Sequence, residues 1–214
     1  MLEIKNLNIT HQNNHIIKDF NLSTNENGFI VIEGKNGIGK TSILNAIAGI
    51  KASETNITGT ISYNNQNINM LHKKDKAKII GIVEQQYNPN FSFTVKEFLL
   101  QSRYPYKKLF SGLTTKDLKK IAYAIKITQI DKLKNKYLDK LSGGQLQLVK
   151  IAAIIAQEPE IYLLDEPINN LDSNNTKTIL DIFKHLSKTK LVIVVLHNNS
   201  LSNKYADKII KYLE

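Results

Sequence analysis

Gly34-Lys35-Asn36-Gly37-Ile38-Gly39-Lys40-Thr41 is the stretch that decides the fold. It satisfies G-x-x-x-x-G-K-[ST] and lies between Phe29-Ile30-Val31-Ile32, a β-rich run suited to a buried strand, and Thr41 to Ile50, which we expect to be a helix. Gly34, Gly37 and Gly39 let the backbone turn tightly, so that successive N–H groups face inward as an anion nest. The following helix adds its positive N-terminal end. A loop of this kind cradles the phosphates of a nucleotide, with Lys40 reaching the β- and γ-phosphates and Thr41 a ligand of Mg²⁺. Asn36 and Ser42 complete the expected phosphate contacts.

Upstream, partial alternation at Leu2, Ile4, Leu7 and Ile9, then Ile16-Ile17 and Phe20-Asn21-Leu22, predicts strands, with residues 57–69 a further short antiparallel piece. Downstream, Ile79 to Val83, Ile161 to Leu164 and Leu191 to Leu196 are expected as buried strands and Thr176 to Leu186 as a helix with Ile179, Ile182, Phe183 and Leu186 on one face. Strands alternating with helices imply a parallel sheet in an α/β domain. Ile161-Tyr162-Leu163-Leu164 delivers Asp165-Glu166 to the carboxyl edge of that sheet, where open α/β folds bind ligands. One carboxylate can hold the Mg²⁺ shell and the other can polarise a water for in-line attack on a γ-phosphate.

Between about residue 90 and residue 157 the pattern is helical. Thr94-Val95-Lys96-Glu97 is a capping box, and Thr114 with Asp117 repeats it. Leu118, Ile121, Ala122 and Ile125 then recur at i, i+3, i+4 and i+7, which predicts one buried helix face.

Composition narrows the class. The chain has 214 residues, 42% of them hydrophobic, enough for a core, and no apolar run approaches the ~18 residues of a membrane span. The start, Met1-Leu2-Glu3-Ile4-Lys5, leads us to expect no secretory signal. The absence of cysteine excludes a disulfide framework and Cys-ligated zinc or iron–sulfur sites. The formal charge of +10 is carried almost wholly by lysine, Arg103 being the only arginine. Lysines spread in this way, alongside abundant Asn and Ile, point to compositional bias rather than a nucleic-acid surface, so no nucleic-acid partner is expected.

Leu141-Ser142-Gly143-Gly144-Gln145 adds a second anion site at a helix start, which one chain has no obvious need for. With the phosphate loop, a Gln after a strand, Leu-Leu-Asp-Glu-Pro and a His at a strand end in that order, the whole chain resembles the ATP-binding subunit of an ABC transporter. The resemblance implies a P-loop NTPase fold with a mainly parallel core sheet, an N-terminal antiparallel β subdomain and an inserted α-helical subdomain. It is expected as one domain over 1–214, with 1–86 and 158–214 forming the nucleotide-binding core and 87–157 the helical subdomain carrying the signature. It implies hydrolysis of ATP, with Mg²⁺, coupled to transport. A second copy would pair head to tail, so that Ser142, Gly143, Gly144 and Gln145 of one subunit close over the γ-phosphate held by the other.

Carried over residue by residue, the resemblance makes Asp165 the Mg²⁺ ligand and Glu166 the general base. Gln85 matches the glutamine that contacts Mg²⁺ and the attacking water, with Gln86 adjacent as the alternative. Asn169-Asn170-Leu171-Asp172 matches the segment that crosses the dimer interface, and His197 the histidine that contacts the γ-phosphate. His11 stands where an aromatic residue usually stacks on adenine, Leu148 where Arg is common, and Asn198 where an acidic residue usually follows the histidine. Arg103-Tyr104-Pro105-Tyr106 and Ala156-Gln157 before Glu158-Pro159 are similar to the ATPases of iron-siderophore, haem or vitamin B12 importers. The implied partners are transmembrane permease subunits and, through them, an extracellular substrate-binding protein. The implied place is the cytoplasmic side of the cell membrane, peripherally bound. Phe91, Phe93, Tyr104 and Tyr106 are candidate exposed aromatics for a permease-binding groove. An exporter ATPase and a soluble, non-transport ABC ATPase are the alternatives.

Overall fold

A computed structural model describes residues 1–12, 14–25, 27–84, 93–108 and 111–212. Strands β1 (Leu2–His11), β2 (Asn14–Ser23), β4 (Thr55–Tyr63) and β5 (Gln66–Asn67) form an antiparallel sheet in the order β2-β1-β4-β5. Strands β3 (Gly28–Glu33), β6 (Ile80–Val83), β7 (Ile161–Asp165), β8 (Leu191–Val195) and β9 (Lys208–Lys211) form a parallel sheet in the order β6-β7-β8-β3-β9.

The central strands are apolar throughout because both faces of the parallel sheet are covered. Alternate side chains serve two cores. Ile30, Ile32, Leu163 and Ile193 pack with the antiparallel sheet and with Ile43 and Leu44 of helix α1 (Lys40–Ala48). Phe29, Val31, Tyr162 and Val194 pack with helices α3 (Val95–Gln101), α4 (Thr115–Ile127), α5 (Gly143–Gln157) and α6 (Ser173–Leu186). The helical stretch therefore shares a continuous core with the sheet.

Capping signals located helix starts, although α6 begins at Ser173, capped by Asp172, three residues before the expected Thr176. Both expected capping boxes are formed, and Ser142 with Gln145 makes a third at the start of α5. Gly49, at φ 70°, ends α1 in the left-handed conformation two residues before the expected end of the helix.

The predicted face of α4 requires correction. Leu118 is 50% exposed and Ala122 is also exposed, whereas Asp117, Ile121, Ala124 and Ile125 are buried. The helix is rotated because Asp117 turns inward to meet the buried Arg103. Sequence patterning also passed over helix α2 (Lys73–Ile79), helix α7 (Asn199–Tyr205) and β9. No residue of α2 is buried, so it has no apolar stripe to detect.

Candidate active site

Parallel register aligns the strand ends that carry the chemistry. Ile32 of β3 and Asp165 of β7 both pair with Val195 of β8. The segments that follow, beginning at Gly34, Glu166 and Leu196, therefore leave the carboxyl edge side by side. Gly37 and Gly39 have φ of 80° and 102°, which L side chains rarely adopt. A Cβ on Gly39 would also lie 2.7 Å from the Ile17 side chain.

Lys40 opens α1 and is buried, its Nζ donating to the carbonyls of Gly34 (2.8 Å) and Lys35 (2.7 Å). Burial lowers its pKa, opposed by the nearby carboxylates of Glu166 and Asp165. The ammonium is thus held over the loop by the loop's own backbone carbonyls.

The Thr41 hydroxyl donates to Asp165 Oδ2 at 2.8 Å. Asp165 is 2% exposed, and its Oδ1 has no hydrogen-bond partner among the described residues. Burial raises its pKa, the Thr41 bond lowers it, and the Glu166 charge raises it further. A buried carboxylate oxygen without a donor, beside a hydroxyl, is an arrangement that a hard cation would satisfy.

Glu166 follows in the left-handed region at φ 48°. His197 Nε2 lies 2.6 Å from its Oε1, and Asn169 Nδ2 donates to its Oε2. A cavity of about 490 Å³ brings Lys40, Thr41 and Ser42 together with Glu166, His197 and Ile16, and Asn36, Gly37 and Gly39 also line it. Gly34 lines an adjoining cavity with His197.

Other expected site residues lie elsewhere. His11 ends β1, its Nδ1 3.3 Å from Thr55 Oγ1, and it does not line the phosphate cavity; Ile16 of β2 does. Ser142 caps α5, and Gly143, Gly144 and Gln145 form its first turn, also outside that cavity. Asp172 caps α6 by accepting from Asn175 N at 2.8 Å, and that backbone bond lowers its pKa. Gln85 and Gln86 lie outside the described residues.

Sequence reasoning did not foresee the contacts of three residues around this edge, although Asn169 lay in the segment expected at the dimer interface. Asn169 touches Glu166, and Ile16 supplies an apolar wall to the cavity. Lys150 of α5 is buried and donates to the Glu84 carbonyl, one residue before Gln85. Each is separated from what it serves by a turn or by many residues, and no sequence signal marks these contacts.

A second cavity, about 350 Å³, opens between β6, α3 and α5, with Ile82, Glu84, Phe98, Gln101, Lys150 and Ala153 in its walls. Of the four aromatics expected to line such a groove, Phe91 lies outside the described residues and Phe93 is half-buried against the helical core. Tyr104 is 66% exposed. Tyr106 is half-buried: its hydroxyl donates to the Glu158 carbonyl at 3.0 Å, and the Arg103 guanidinium lies 4.0 Å from its ring centre. Its expected exposure is therefore corrected, the reason being that it packs under the arginine.

The model of the ABC transporter family matches residues 17–169. The petrobactin import ATP-binding protein YclP of Bacillus subtilis (strain 168) is 29% identical over 212 residues, 98% of this chain and 82% of the relative. The petrobactin import ATP-binding protein FpuD of Bacillus anthracis is 31% identical, covering 98% of this chain and 76% of the relative. Among solved structures, the ATP-binding cassette MJ0796, in a dimeric post-hydrolysis state bound to ADP and Pi, superposes with a TM-score of 0.85 at 28% identity, covering 99% of this chain and 94% of that one.

Proposed function

The chain belongs to the ABC transporter family as an ATP-hydrolysing cassette, and we propose that it drives uptake of an iron-siderophore, haem or cobalamin-type ligand through separate permease subunits. The chain binds peripherally on the cytoplasmic face, and the permease in turn receives its ligand from an extracellular binding protein. The names of the petrobactin-import relatives support the substrate class. Among the described residues no helix is long and apolar enough to cross a membrane.

The observation that carries the reading is the separation of two phosphate-binding features. Lys40 and Thr41 share a cavity with Glu166 and His197, while the helix start at Ser142 to Gln145 lies outside it. Two copies arranged head to tail bring the signature of each onto the nucleotide of the other, completing two sites by one symmetric contact. The dimeric state of the MJ0796 cassette supports pairing of two copies.

Thr41 and Asp165, with Gln85, are the residues we assign to Mg²⁺. The partnerless Asp165 Oδ1 and the adjacent Thr41 hydroxyl fit that ion. Among the described residues no cluster of three or more His, Asp or Glu could hold a metal, which suits an ion that takes one or two carboxylates and leaves the rest to phosphates and water. Bound there, Mg²⁺ would neutralise charge on the transferring phosphoryl group. Lys40 releases its two carbonyls to hold the β- and γ-phosphates. Glu166 accepts the proton of the attacking water, and His197 donates to the γ-phosphate. His11 and Ile16 are assigned to the base and ribose side, and Asp172 to the dimer contact.

Mixing two inactive variants tests this reading. Lys40→Ala removes a subunit's own phosphate site, and Ser142→Arg blocks what it offers its partner. Each alone is expected to be inactive, but a mixed dimer contains one intact composite site. ATPase activity should therefore reappear on mixing; a mixture as inactive as its components would overturn the head-to-tail site.

A further inference from the structure

Glu166 cannot owe its carboxylate direction to a relaxed strand end. Its φ of 48° is left-handed for a residue with a Cβ, a strained conformation that must be held by neighbours. His197 holds Oε1, and Asn169 Nδ2 holds Oε2. Asn169 also closes the turn, its backbone N–H donating to the Glu166 carbonyl at 3.2 Å.

That turn is fastened to the signature helix at two points. Gln147 Nε2, buried on α5, donates to the Pro167 carbonyl at 2.9 Å. The Asn170 carbonyl oxygen lies 2.7 Å from where a Cβ on Gly144 would stand, so only glycine permits the approach. The chain of contacts runs from the start of α5, through Asn170 and Asn169, to the carboxylate of Glu166.

We propose that Asn169 is a positioning residue for Glu166, setting the orientation of the general base according to the placement of the signature helix. This rests on the assignment of Glu166 as base and on the head-to-tail dimer proposed above. An amide neither takes nor gives up a proton at neutral pH, so Asn169 orients the carboxylate without joining the proton transfer. The first turn of α5 faces the partner's nucleotide in that dimer. Docking at one site is thereby conveyed to the base of the other, within a single subunit.

The test compares Asn169→Ala and Asn169→Asp in the full chain, with Glu166→Gln alongside. Asp has the shape and turn preference of Asn but cannot donate and repels Glu166. A role confined to the turn would therefore leave N169D near normal and N169A the more damaged of the two. Positioning predicts the reverse order. N169D should lower kcat about tenfold or more, N169A by less, each with KM for ATP within about twofold, because Asn169 does not line the nucleotide cavity. A kcat for N169D within twofold of wild type, a KM that rises with the loss, or greater damage in N169A overturns the proposal. Near-normal hydrolysis by E166Q instead removes the base assignment, so the two failures are distinguishable.

Discussion

Arg103 Nε donates to Asp117 Oδ1 at 2.9 Å inside the helical region, and both side chains are almost wholly buried. The same guanidinium reaches the carbonyls of Ala156 (2.7 Å) and Gln157 (3.2 Å) at the end of α5, while Glu158 Oε2 stands 3.7 Å away. Helix C-termini leave carbonyls without intrahelical partners, and a planar fork can satisfy two of them and a carboxylate at once. A lysine is a single point of charge on a flexible stem. In a chain whose other basic residues are all lysine, the one arginine stands where that fork is needed. It also ties the Arg103-Tyr104-Pro105-Tyr106 string to the Ala156-Gln157 string.

Removing the fork should be costly. Arg103→Ala leaves Asp117 buried without its cation and is expected to destabilise the chain by about 3 kcal/mol or more, read from urea unfolding. Arg103→Lys should recover only part of this. A loss below about 1 kcal/mol for the alanine variant would show that the pair is not what fastens α4 to α5.

Asp117 gives the pH dependence a sign. The Thr114 hydroxyl, opposed by burial and aided by the Thr114 amide and Arg103, holds its carboxyl below the usual range. A carboxyl depressed in the folded state contributes stability above its unfolded pKa, roughly 3.9, and that contribution is lost as pH falls through the folded value. The stability difference between wild type and Asp117→Asn should thus be constant near neutrality and shrink below about pH 4. Urea midpoints of both proteins between pH 7 and pH 3 measure it; a difference that grows on acidification contradicts the assignment.

Glu166→Gln keeps size and hydrogen bonding but removes basicity. Turnover should fall about 100-fold or more with ATP binding retained. An ATP-bound dimer should accumulate, visible by light scattering, because closure no longer leads to hydrolysis.

The two tyrosines should separate stability from coupling. Tyr106→Ala loses the bond to Glu158 and the ring beneath Arg103, for about 2 kcal/mol of stability. Tyr104→Ala should leave folding and basal ATPase within a few-fold, since its ring is exposed. It should weaken permease binding or ligand-stimulated ATPase by about 1 kcal/mol or more. Unchanged coupling in Tyr104→Ala would place the permease contact on other residues.

The phosphate loop, two of the three capping boxes and the alternation of buried strands with helices were legible in the sequence because each is a local requirement. Gly37 and Gly39 announce positive φ; Thr94, Thr114 and Ser142 each reach an amide three residues away. Backbone geometry over a few residues writes itself directly into residue type and spacing. The pairing of Asp165 with Glu166 at a strand end was legible for the same reason.

Tertiary structure alone decided which of these local pieces meet. The order β6-β7-β8-β3-β9 sets β7, β8 and β3 side by side in parallel register, which brings Lys40, Asp165, Glu166 and His197 to one edge. The inward turn of Asp117, the packing of Tyr106 under Arg103 and the anchoring of the Asn169 turn on Gly144 join residues far apart in the chain or override a local pattern. Apolar periodicity counts hydrophobic side chains and so misplaced the α4 face, where a buried ion pair outweighs Leu118. Contacts of that kind depend on the summed packing of several elements, which no window along the sequence contains.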